Sequence, residues 1–109
     1  MNIQRLISRV EMLALALQTH TAVQALHPVR TREESEQRTQ VQAELDDLFA
    51  AATGVRDECE SLLSSHPSPL EMVEQFDRLK MRLDAIEERA NDIIESERRM
   101  NEMRALRHQ

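Results

Sequence analysis

From Ser68 to Arg104 apolar residues recur at alternating spacings of four and three: Met72, Phe76, Leu79, Leu83, Ile86, Ala90 and Ile93. That alternation lays one stripe along one side of a long α-helix and leaves nearly all the charge outside it. Glu97 and Arg104 occupy later stripe positions, with Met100 between them. A stripe of this kind has to be buried against another helix, in the same chain or in a partner.

Helix breakers are rare, so their positions carry weight. Pro28 lies in Leu26-His27-Pro28-Val29, and Pro67 and Pro69 lie in His66-Pro67-Ser68-Pro69. Proline lacks a backbone donor and turns the preceding residue away from helix, so both places read as boundaries. A start signal follows each one. Thr31-Arg32-Glu33-Glu34 is a capping box, with a hydroxyl for the N3 amide and a carboxylate reaching back. Ser68-Pro69-Leu70-Glu71 is a better one, because Pro69 falls at N1, where a missing N–H costs nothing.

Three helices are therefore predicted, over about 2–26, 32–64 and 69–106. The first carries Ile3, Leu6, Val10, Leu13 and Leu17 as its main stripe, widened by Ile7, Met12, Leu15, Val23 and Leu26. It has no charged residue between Glu11 and Arg30, so it is either sandwiched in a bundle or covered by another chain. The second repeats the four-three spacing through Val41, Leu45, Leu48, Ala52, Val55, Cys59 and Leu62. Its opening turns, 32–40, contain no apolar residue and are expected to project into solvent, supported by pairs such as Glu34 with Arg38. Gly54, which costs about 1 kcal/mol against Ala in a helix, suggests a bend or a close backbone approach. The third helix outlasts the first by about a dozen residues. The bundle is accordingly expected to end before Glu97, leaving the 98–109 tail to fray, project or find cover elsewhere. Were the bundle to continue, Glu97 and Arg104 would be polar residues that set register.

Composition agrees with an all-α chain. The sequence of 109 residues has one Gly, no Trp, no Tyr and two Phe, which disfavours sheets. One domain is the expectation at this length. Net charge is −6 and uneven. Residues 32–68 hold three arginines against nine acids, while 98–109 hold Arg98, Arg99, Arg104 and Arg107 against Glu102. An acidic middle disfavours direct nucleic-acid binding, which needs a basic face to release counterions. The single cysteine, Cys59, excludes an internal disulfide. The apolar run 12–17 is too short to span a bilayer, and no secretory leader pattern is present. The expectation is a cytoplasmic protein with no transmembrane segment.

Candidate chemistry is sparse. No Glu-x-x-His pair and no His-Glu-x-x-His motif occurs, so no metal ligands and no cofactor are expected. His20 and His27 share a helix face with Gln24, and read as polar residues at a fraying helix end. Cys59 lies on the buried stripe between Glu58 and Glu60, where burial and neighbouring carboxylates disfavour the thiolate. One glycine cannot build a phosphate loop. No catalytic residue emerges, and the chain is read as no enzyme.

What remains is contact. The expected fold is an elongated antiparallel three-helix bundle with coiled-coil-like packing of helices 2 and 3. The expected function is non-enzymatic protein–protein interaction, as an adaptor, assembly factor or small chaperone, with dimerisation or capture of a partner helix. Leu13, Leu17, Val23, Leu26, Met100, Met103 and Leu106 are the candidate partner-binding residues. Type III secretion chaperones are similar in size, charge and helix content, a likeness that rests on no motif. The alternative is an acidic inhibitor, such as a phage-encoded one, offering Asp46, Asp47 and Glu58 as a phosphate mimic to a nucleic-acid-binding target.

Overall fold

The computed structural model describes residues 2–107 and consists of three helices, α1 (Ile3–Ala25), α2 (Arg32–Ser65) and α3 (Pro69–Arg107). His108 lies outside the described residues. Both predicted capping signals form. Thr31 Oγ1 accepts the Glu34 N–H at 3.1 Å, and Ser68 Oγ accepts the Glu71 N–H at 3.3 Å with Pro69 as the first helical residue. The Glu34 carboxylate reaches back to the Arg30 N–H at 3.0 Å, one residue further than a standard capping box. At the other end of α2, His66 takes a left-handed conformation (φ 50°), and Pro67 then prevents the helix from continuing.

The helices form an all-α bundle of 60 × 19 × 17 Å. Its direction is set by residue pairs across the interfaces. Arg9 meets Asp84 and Glu87, and His20 meets Glu97, at separations of 75, 78 and 77 residues. A near-constant separation means that α1 and α3 run parallel. α2 runs against both, with Glu58 on Arg78 and Arg82, Glu44 on Arg89 and Gln37 on Met100.

The core follows the predicted stripes. Ile3, Leu6, Ile7, Val10, Leu13 and Leu17 of α1 meet Leu45, Ala52, Val55 and Cys59 of α2 and Leu79, Leu83, Ala90 and Ile93 of α3. Leu6, Leu79, Leu83, Val55 and Cys59 are fully enclosed, and each buried aliphatic side chain of this size contributes roughly 1.5–3 kcal/mol of transfer free energy.

Two expectations about the ends are corrected. The bundle does not stop before Glu97, because parallel running brings the last turns of α1 level with residues 97–101. The overhang lies at the opposite end. Ile3 is level with about Leu79, so 69–77 of α3 and the end of α2 run on past α1 as a two-helix hairpin. Leu62, Leu63, Met72 and Phe76 are half-buried there, and Leu70 is 69% exposed. Gly54 is also reassigned: a Cβ placed there would meet nothing within 4 Å, so no backbone approaches it closely.

Candidate functional site

The polar positions of the stripe converge where α1 ends. Glu97 Oε1 stands 2.8 Å from His20 Nε2, and Glu97 Oε2 accepts the Gln24 amide at 2.7 Å. Asn101 Nδ2 donates to Gln24 Oε1 at 2.6 Å and extends the chain of bonds along α3. His20 and Gln24 are buried, 8% and 6% exposed. They therefore do not belong to a fraying end, as their sequence position suggests. Their burial is tolerable because each finds a partner, and an unpaired buried polar group would cost about 1–3 kcal/mol.

The start of α2 closes this end and does not project. Arg38 Nη1 donates to Gln24 O at 3.2 Å, in the last turn of α1, and also to His27 O just beyond the helix. α1 has no basic residue in its own last turn. Arg38 supplies from α2 the cation that such a terminus favours. Arg104, half-buried at the next polar stripe position, lies 3.9 Å from Glu34 on α2.

Paired charges clamp the middle of the bundle. Arg9 donates to Glu87 at 3.0 and 2.9 Å and to Asp84 at 2.6 Å. The Glu87 hydrogen bond, followed by Asp84, raises the guanidinium above its ordinary range against the cost of burial. Asp84 is held below the usual carboxylate value by hydrogen bonds from Lys80 and then Arg9. At Glu58, desolvation opposes ionisation, and hydrogen bonds from Arg82 and Arg78 outweigh it, so its pKa is lowered.

These contacts sort the predicted interaction residues. Leu13 and Leu17 are 6% and 4% exposed and belong to the chain's own core, so they are withdrawn as partner-binding residues. Their four-three spacing marks core equally well, and only the packing distinguishes the two roles. Val23, Leu26, Met103 and Leu106 are exposed, at 42, 78, 54 and 69%. Met100 is half-buried and takes the Gln37 amide on its sulfur at 3.7 Å. Glu58 is engaged by two arginines and is withdrawn from the acidic face. Asp46 and Asp47 are exposed, with Asp46 accepting from Gln42. Cys59 is buried, and its thiol pKa is pushed up by desolvation first, then by Glu58 and Glu60.

Of the residues lining a broad groove between α1 and α3, sequence reasoning named only Val23 as partner-binding. Met12, Leu15, Ala16, Thr19 and Val23 of α1 line it with Ile94 of α3, beside the polar His20, Gln24, Asn91, Arg98 and Asn101, and no residue of α2 does. Met12 and Leu15 are 66% and 56% exposed. The signal was the charge-free run after Glu11, which left open which side of α1 would stay uncovered.

Among the described residues no group of three or more His, Cys, Asp and Glu side chains is placed to hold a metal ion. No helix among them is long and apolar enough to cross a membrane. No family model matches this chain, and no curated protein or solved structure matches it either.

Proposed function

We propose that this chain is a non-enzymatic protein–protein interaction module, an adaptor, assembly factor or small chaperone that works by helix–helix contact. The observation that carries the reading is the outer face of α1. Met12, Leu15, Val23 and Leu26 are large apolar residues, 66, 56, 42 and 78% exposed, on a helix whose other side already supplies the core. Scattered single apolar residues are ordinary on a surface, but a run of them along one helix face marks a binding site. Met103 and Leu106 near the end of α3 add a second exposed pair. Coiled-coil-like packing, the contact expected between α2 and α3, is also the mode expected for a captured helix.

Affinity capture from the native host with the tagged full chain, at low and high salt, tests this. A partner retained at both salts and lost with Leu15→Glu or Val23→Glu supports contact through α1. A partner lost steeply with salt, and lost with Asp46→Asn and Asp47→Asn while Leu15→Glu has no effect, would replace this reading with charge mimicry.

A further inference from the structure

We propose that the α1–α3 groove is a homodimer seam, in which a second copy of this chain packs antiparallel across a two-fold axis near Thr19. The inference rests on the interaction reading above and names the partner of that same surface.

Two properties of the groove favour a second copy over an unrelated helix. Near a two-fold axis each residue faces its own copy, so a charge there repels itself. In a chain that is 31% charged, α1 carries no Asp, Glu, Lys or Arg between Glu11 and Arg30. Side-chain size is also arranged symmetrically. Met12 and Leu15 stand at one end and Val23 at the other, with Leu26 just beyond it at the helix cap and the small Ala16 and Thr19 between. An antiparallel copy lays large residues against large ones and crosses where both backbones can come close. The one full charge lining the groove, Arg98 of α3, is already held by Glu95 at 2.6 and 2.8 Å and brings no unpaired charge to the seam.

The size of the seam sets its strength. From Met12 to Leu26 it is about 21 Å long at 1.5 Å per residue, and a two-helix face is about 20 Å wide. The area removed from water is then about 800–900 Å² in total, just below the ~1,000 Å² of a stable complex. An interface of this size belongs with weak, dissociating complexes.

Sedimentation equilibrium of the full chain from about 1 µM to about 500 µM tests the proposal. A monomer–dimer equilibrium is expected, and Leu15→Glu or Val23→Glu weakens it by about 100-fold or more with unchanged circular dichroism. Met81→Glu, at a 72%-exposed position outside the groove, leaves it unchanged. Orientation is read by oxidative cross-linking in a Cys59→Ala background, where Thr19→Cys links two copies and Gln4→Cys does not. A chain that stays monomeric at the highest concentration overturns the proposal. So does a dimer indifferent to both charge insertions, or one that cross-links through Gln4→Cys alone. If the chain is monomeric but Leu15→Glu still abolishes capture of a host protein, the interaction reading stands and the second copy alone is wrong.

Discussion

Glu97 and His20 lie 77 residues apart in sequence and meet at 2.8 Å, with their side chains 13% and 7% exposed. The second carboxylate oxygen of Glu97 is taken by Gln24, one helical turn further along α1. This pair sets the register of α1 on α3. Sliding α1 by one turn so that Leu17 takes the place of His20, and His20 that of Gln24, would leave the carboxylate with one donor fewer. The apolar stripes alone tolerate such a slip, because one turn of aliphatic side chains resembles the next.

Glu97→Ala removes the acceptor shared by two buried donors and is expected to cost about 2–3 kcal/mol in urea unfolding. The triple change His20→Leu, Gln24→Leu, Glu97→Leu is expected to be close to neutral in stability. It should broaden the amide NMR signals of α1 through loss of a unique register. A loss of less than about 0.5 kcal/mol for Glu97→Ala would deny the network that role.

Arg38→Ala withdraws the cation from the last carbonyls of α1. A loss of about 1–2 kcal/mol is expected, with faster hydrogen exchange confined to the final turn of α1. Exchange accelerating evenly along α1 would contradict the capping role.

Gly54→Ala adds a methyl group into open space in the middle of α2. It should stabilise the protein by about 0.5–1 kcal/mol and raise Tm, because alanine loses less backbone entropy than glycine in a helix. A lowered Tm would mean that the glycine is required by a conformation other than the straight helix.

Acid should weaken the bundle in a defined window. Asp84, Glu44 and Glu58 all have lowered pKa values in the fold, through hydrogen bonds from Lys80 and Arg9, from Arg89, and from Arg82 and Arg78 against desolvation. A carboxylate lowered in the folded state binds protons more readily when unfolded. Its stabilisation is thus complete above the unfolded value of about 4 and is lost as pH falls through the folded one. Urea midpoints measured from pH 7 down to pH 2 should stay flat across this set until about pH 4 and then drop. Individual replacement of Glu44, Glu58 or Asp84 by its amide should flatten the drop.

Cys59 should react slowly with a thiol reagent in the native protein and rapidly in urea, since its sulfur is enclosed and its thiolate is disfavoured by burial and by Glu58 and Glu60. Equal rates in both conditions would place the thiol at the surface.

Helix number, boundaries and most of the core were legible in the residues, because they depend on local signals. Proline and capping hydroxyls act within four residues, and the four-three recurrence of Leu79, Leu83, Ala90 and Ile93 acts within a turn or two. Relative placement of the helices depends on pairs such as Arg9 with Glu87 and His20 with Glu97, which no local pattern relates. Counting lengths made α1 look too short to reach Glu97. Because α1 starts level with Leu79, its final turn arrives there, and the hairpin at 62–76 is left uncovered instead. The breadth of the apolar surface on α1 was likewise evident from composition. Which half of it went to the core, Leu13 and Leu17, and which stayed open, Met12 and Leu15, required all three helices in place, since burial is a property of neighbours that the chain brings together from a distance.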